Sequence, residues 1–160
     1  MPSEVTICAA DLDDRLHYEG ILRLLNMYAS EPVAGGEPIA DEVQARLIPE
    51  LKQQANGRYF LAIESEAVVG VAICFVGFST FRAKPVINIH DLAVHRDRRG
   101  QGIGELLLQA VEVEAKGLGC CGITLEVKED NRARRLYERF GFAGGNPDGT
   151  VSLFMAKRFG

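Results

Sequence analysis

The feature that most restricts how this chain can fold is an apolar run that breaks into glycines and restarts as a helix. Val86 to Val94 is rich in β-branched residues and Arg98-Arg-Gly-Gln-Gly-Ile-Gly104 follows. Ile103, Leu106, Leu107, Ala110 and Val111 then recur at helical spacing. A strand ending at Val94 and a helix starting near Gln101 leave several backbone N–H groups without intrahelical partners. Gly100, Gly102 and Gly104 carry no Cβ to hold a ligand away, the helix dipole adds positive potential, and Arg98 and Arg99 add charge. Such a turn suits an anion; the plain alternative is a flexible loop before a tightly packed helix start. Two phosphate motifs fail by letter: a dinucleotide fingerprint begun at Gly100 would need glycine where the chain has Glu105, and there is no Gly-Lys-Ser/Thr for a P-loop.

The elements around this turn alternate in type. Val5 to Ala9 reads as an opening strand, and Tyr18, Ile21, Leu22, Leu25 and Tyr28 trace a helix that ends near Ser30 and Pro32. Asp41 can cap a second helix with Val43, Leu47 and Leu51 facing inward, which Pro49 must shorten, bend or break. Arg58 to Ser65 and Ala67 to Gly77 form an antiparallel hairpin, and Lys84-Pro85 interrupts the pattern before the strand that leads into the glycines. After the helix, Ile123, Leu125 and Val127 alternate with Thr124, Glu126 and Lys128 as a strand with one buried face. A short helix carries Ala133, Leu136, Tyr137 and Phe140 on one side and stops at Gly141, and Val151 to Phe159 reads as a last strand. The order predicts an α/β (α+β) fold, a mixed sheet covered by helices, in one domain spanning 1–160.

Composition narrows the partners. With a net charge of -4, the chain is not expected to bind nucleic acid, although Arg96, Arg98 and Arg99, and again Arg132, Arg134 and Arg135, would suit a small phosphorylated ligand. The longest apolar run, Ala67 to Phe78, is too short to span a bilayer and contains Gly70 and Gly77, so no membrane partner is expected. The amino terminus lacks the basic region and apolar stretch of a secretory signal, and the expectation is a cytoplasmic chain. Cys8, Cys74, Cys120 and Cys121 show no metal-type spacing, so all four are expected to be reduced thiols, with Cys8 and Cys74 buried, and no metal is expected.

Arg99, Gly102 and Gly104 match Arg/Gln-x-x-Gly-x-Gly/Ala, and Asn131-Arg-Ala-Arg-Arg-Leu-Tyr-Glu-Arg-Phe-Gly-Phe142 follows at the right distance. On these two motifs the sequence resembles the GNAT superfamily of N-acetyltransferases over roughly Val68 to Phe142. The resemblance implies a central mixed, mostly antiparallel sheet, flanked by about four helices, that splays into a V between its fourth and fifth strands. It also implies acetyl-CoA as co-substrate. Pantetheine would pair with Leu92, Ala93 and Val94 as an added strand does. The pyrophosphate would sit on Arg99, Gly100, Gln101, Gly102, Ile103 and Gly104, and Asn131 would hold the pantetheine arm. Many members form homodimers, so a second copy is a partner the resemblance implies.

Acetyl transfer to an amine needs a base, an oxyanion donor and an acid for the departing thiolate. Tyr137 occupies the family's general-acid position, although it also fits the apolar face of its helix. Alternation puts Ile87 and Ile89 on one face of their strand and Asn88 and His90 on the other, so the polar pair is expected to look into the cleft. His90 is then the leading base, since imidazole titrates near neutral pH. His90-Asp-Leu-Ala-Val-His95 also resembles the corresponding strand of arylalkylamine acetyltransferases. Asp91 competes only if a bulge turns it to the same face, and Glu126 competes from the next strand. The oxyanion donor is expected to be a backbone N–H near Leu92 or Val94.

Phe78-Ser-Thr-Phe-Arg-Ala-Lys-Pro85 resembles the same stretch of diamine and polyamine acetyltransferases, although those enzymes carry an acidic residue where this chain has His90. This stretch hints at a small amine acceptor, with Glu31, Phe78, Asn88 and Glu126 lining its site. Glu37, Asp41 and Glu42 would add acidic charge nearby, either as a cation-attracting rim or as a solvated loop. A protein or peptide acetyltransferase and a non-catalytic acyl-CoA sensor are the alternatives.

Overall fold

The computed structural model describes residues 3–160. Strands β1 (Val5–Ala9), β2 (Gly57–Glu64), β3 (Ala67–Ser79), β4 (Lys84–Val94) and β5 (Ile123–Leu125) form one sheet in the order β1-β2-β3-β4-β5. The first three junctions are antiparallel, and β4 meets β5 in parallel. Ser65 and Glu66, at φ 48 and 62, make the two-residue turn of the β2–β3 hairpin, with the left-handed backbone that matches strand twist.

Two helical layers cover the faces. α1 (Arg15–Ala29) starts on Asp14, whose carboxylate accepts from the N–H groups of Leu16 and His17. Its Ile21, Leu24 and Leu25 join Ile48 and Leu51 of α2 (Asp41–Lys52) over Leu61, Val68, Val71, Ile73 and Ala93. On the other face α3 (Ile103–Gly117) sets Ile103, Leu107, Leu108 and Val111 against Ala62, Ala72, Cys74, Ile87 and Ile89. α4 (Arg134–Arg139) packs beside α3 through Leu136 and Tyr137.

Several expectations change. Pro49 does not break α2; it lies near the helix end, where its missing N–H would have met the carbonyl of Ala45, an exposed residue that water can serve. The inward face of α2 is Ile48 and Leu51 with Leu47 packed against the same core, as expected for Leu47 and Leu51, while Val43 is exposed. Lys84 and Pro85 belong to β4 rather than interrupting it. Cys74 is buried, but Cys8 is only half-buried, and all four cysteines are free thiols.

The largest change lies at the end of the chain. β5 stops at Leu125, and Val151 to Phe159 forms no strand: Leu153, Phe154 and Met155 are all exposed. A turn closes at Asn146, whose N–H donates to the Thr150 carbonyl at 3.0 Å, but no ladder grows from it. Alternating apolar residues specify a face, not the edge that would pair with it.

Candidate active site

The site begins with an irregularity in β4. Ile73 of β3 pairs with Asp91 while its neighbour Cys74 pairs with Ile89, so His90 is an extra residue. Two residues of a bulged strand then oppose one on the partner. Alternation resets across this point: Ile87 and Ile89 pack in the α3 core, as do Leu92 and Val94 beyond the bulge, while Ala93 packs in the α1 core. Asp91 therefore shares the α1 face with His90. The His90 ring is exposed and stands edge-on to Phe75 at 5.6 Å, and Asp91 is half-buried. Burial pushes the Asp91 carboxyl above the usual carboxylate range, and the charge of His90 opposes that shift.

Beyond the bulge β4 has a free edge. β5 pairs only with Ile87 to Ile89, yet β4 continues to Val94. The His95 N–H donates to the Val69 carbonyl on β3 at 2.8 Å. Antiparallel alternation then turns the N–H and C=O groups of Leu92 and Val94 away from β3, toward the gap. An extended ligand can pair there.

The glycine turn stands at the end of this edge. Gly100 and Gly102 adopt φ of 75 and 82, conformations that side chains resist, and a Cβ on either would meet nothing within 4 Å. Room for a ligand is thus combined with a backbone that requires glycine. The first α-helical bond of α3 runs from Leu106 N to Gly102 O at 3.1 Å, leaving the N–H groups of Ile103, Gly104 and Glu105 without intrahelical acceptors. No side chain caps them, because Gly102 is the N-cap. Gly104 serves packing instead, since a Cβ there would stand 2.7 Å from Leu136 Cδ2 and its absence lets α4 approach α3.

The arginines of the turn are engaged within the protein. Arg98 Nε donates to Glu64 Oε2 at 2.6 Å. Arg99 Nε donates to the Val94 carbonyl at 3.1 Å, and its guanidinium also forms an ion pair with Glu31, just past α1. Gln101 is exposed, and its side-chain amide reaches the Asp97 carbonyl at 3.4 Å.

α4 brings Tyr137 to the same region, with its ring edge-on to Phe142 at 5.9 Å. Burial, and then Tyr28, push the Tyr137 phenol up to about 12. Tyr28, from the last turn of α1, reads in the sequence only as part of that helix's apolar face. Its phenol is raised by burial first and then by Asp91, while nearby Asn131 works the other way. Asn131 Oδ1 in turn accepts from the Ala133 N–H at 2.9 Å, which shapes the entry to α4. Tyr28, Asp91, Asn131, Glu31, Arg99 and Tyr137 are therefore neighbours, drawn from α1, β4, α4 and the loops beside them. The sequence signal for Tyr28 is an aromatic with a polar tip three residues before an acidic one.

The expected acceptor residues do not all converge. Asn88 donates to Thr124 Oγ1 at 3.1 Å, bridging β4 and β5, and Glu126 is exposed beyond the end of β5. Phe78 is exposed and pairs with Pro85, whereas Glu31 lies beside Arg99 past Val94, so roughly 30 Å of strand separates them. A groove of about 400 Å³ opens near Lys116, Cys120 and Phe142, at the end of α3 opposite the glycine turn. Among the described residues no group of three or more His, Cys, Asp or Glu side chains is placed to hold a metal ion, and no helix is long and apolar enough to cross a membrane.

A free strand edge that runs into an uncapped helix start, with a buried phenol beside it, makes a class of site whose geometry suits extended, anion-ended ligands. The comparisons give that class a family: residues 21–142 match the acetyltransferase (GNAT) family model, and the chain belongs to that family of N-acetyltransferases. It is 34% identical over 107 residues to the ribosomal protein bS18 alanine N-acetyltransferase of Haemophilus influenzae, covering 63% of this chain and 69% of that one. It is 33% identical over 79 residues to the thialysine N-epsilon-acetyltransferase of Bos taurus, covering 49% and 46%. The crystal structure of a transcriptional regulator from Bacillus halodurans C-125 superimposes with a TM-score of 0.78 at 24% identity, covering 96% of this chain and 100% of that one, a likeness of fold.

Proposed function

We propose that the protein transfers the acetyl group of acetyl-CoA to a primary amine on a small molecule, by direct attack in a ternary complex. The observation that carries this reading is the continuity of three features: the free edge of Leu92 to Val94, the uncapped N–H groups of Ile103 to Glu105, and the Tyr137 phenol. Pantetheine suits the first, a pyrophosphate the second, and open space at Gly100 and Gly102 leaves room for it. When bound, acetyl-CoA supplies a thioester carbonyl open to attack and a thiolate that must be protonated.

The chain's own residues supply the rest. His90 accepts the proton of the acceptor ammonium, directly or through water, so that a neutral amine attacks. Asp91, on the same face, attracts the ammonium before that proton leaves. A backbone N–H of Leu92 or Val94 stabilises the oxyanion. Tyr137 keeps its proton well above neutral pH because burial holds its phenol up to about 12, and it delivers that proton to sulfur. Asn131 steadies the pantetheine arm.

The Asp91 carboxyl beside His90 and the similarity to a thialysine acetyltransferase support a small cationic acceptor. The similarity to a ribosomal-protein alanine acetyltransferase supports a second reading, a peptide amino terminus. Thiol release from acetyl-CoA, measured against diamines, lysine analogues, aminoglycosides and amino-terminal peptides, separates them. Turnover confined to peptides would replace the first reading with the second. Tight CoA binding without turnover on any acceptor would leave only a cofactor-binding module.

A further inference from the structure

The arginine that opens the glycine turn points away from the role its position suggests. Two of the Arg99 nitrogens are engaged inside the protein: Nε holds the Val94 carbonyl at 3.1 Å, and a terminal nitrogen pairs with Glu31. Neither side chain is open, with Arg99 23% and Glu31 19% exposed. The Val94 carbonyl is the last acceptor on the free edge of β4, so Arg99 ends that edge where the turn begins.

Glu31 belongs to the other side of the molecule. Its N–H donates to the Tyr28 carbonyl at 2.9 Å, and its own carbonyl accepts from Ala34 and Gly36, which forms the loop after α1. Asn26 Oδ1, one turn back in α1, accepts from the Ile39 N–H at 2.8 Å and closes that loop. Tyr28, between these two residues, lies close enough to Asn131 to be influenced by it. The end of α1 thus meets the donor cleft at Arg99 through Glu31, with Tyr28 near Asn131.

We propose that Glu31 is a positioning residue of the donor site: through Arg99 it fixes the end of the β4 edge and the start of the glycine turn, and it ties the 31–39 loop to them. This rests on the reading of that edge and turn as the coenzyme A site. Glu31 then acts on the donor rather than on the acceptor, and the anion is held by backbone N–H groups, since Arg98 and Arg99 are already neutralised. A paired carboxylate 19% exposed makes a better strut than a lure for cations, because its charge is spent on a guanidinium.

Glu31→Ala removes the strut, and Glu31→Gln keeps an acceptor for Arg99 while removing the charge. The expected result is that Glu31→Ala raises the KM for acetyl-CoA about tenfold, with the KM for the acceptor moving less than about twofold, and that Glu31→Gln shows a smaller rise. A rise confined to the acceptor KM would overturn the proposal in favour of a substrate-binding Glu31. Tighter coenzyme A binding in both variants would overturn it in favour of simple charge repulsion. Hydrogen exchange without ligand tests the strut separately: Arg99→Ala should speed exchange in residues 31–39, and Glu31→Ala in residues 99–104. Independent exchange of the two segments would sink the clasp. A wild-type protein that binds no coenzyme A would sink the donor-site reading and the proposal's KM effect, even where the exchange rates stayed coupled.

Discussion

The two halves of β4 are built from similar residues and behave differently. From Lys84 to Ile89 the strand follows its sequence: Ile87 and Ile89 are buried against α3, and β5 pairs with the free side. From Asp91 to Val94 only β3 pairs with it, and the alternation has shifted by one residue at His90. A single extra residue sets two carboxyl- or imidazole-bearing side chains side by side on one face, where an unbroken strand would have separated them. Both halves feed the core, but the upper half also leaves a backbone edge unpaired and brings two polar side chains to one face.

The largest expected effect concerns the phenol beside the upper half. Tyr137→Phe should lower kcat by about 10²-fold or more with little change in KM, as loss of a general acid does. The same variant tests the burial of the phenol. A tyrosine raised from 10 to about 12 stabilises the fold fully below pH 10 and loses that contribution as the pH rises toward 12, because the unfolded chain gives up its proton first. Wild-type stability should therefore fall by about 2–3 kcal/mol over that window, and in Tyr137→Phe this part of the fall should vanish. Equal alkaline profiles would return Tyr137 to a solvated position.

The bulge itself is tested by its two side chains. His90→Gln should abolish the acidic limb of the kcat profile, whereas Asp91→Asn should raise the acceptor KM roughly tenfold and spare that limb. Burial has raised the Asp91 carboxyl, so in the wild type the acceptor KM should climb as the pH falls through that raised value. If Asp91→Asn removes the limb and His90→Gln does not, the base and the anchor exchange roles.

The smallest effect probes the contact that brings α4 to the turn. Gly104→Ala places a Cβ 2.7 Å from Leu136 Cδ2, the movable end of a side chain, so the cost should be near the low end of overpacking, about 1 kcal/mol. Denaturant melts should show it, together with a few-fold loss of kcat as Tyr137 shifts. Unchanged stability and turnover would mean that α4 does not depend on this approach.

Much of the lower half and the turn was legible in the residues themselves. Ile87 and Ile89 alternate with Asn88 and His90, and the strand–glycine–helix order at Val94 to Ile103 emerged as read. The direction in which Asp91 faces was not legible, because a bulge depends on how two strands register and β3 is a separate stretch of chain. Local pattern also overstated the end of the molecule: Val151 to Phe159 alternates like a strand, yet no edge of this sheet pairs with it.

Sequence by itself determined the φ of Gly100 and Gly102, the buried faces of α1 and α3, and the Asp14 cap, all set by residues within a turn or two of each other. Tertiary structure decided what the charged residues do. Arg99 and Glu31 lie 68 positions apart and meet only because α1 ends where β4 runs out. Gly104, which reads as space for a phosphate, is space for Leu136. Backbone conformation follows from the residue that adopts it, but a salt bridge or a close approach follows from which distant segment the fold delivers.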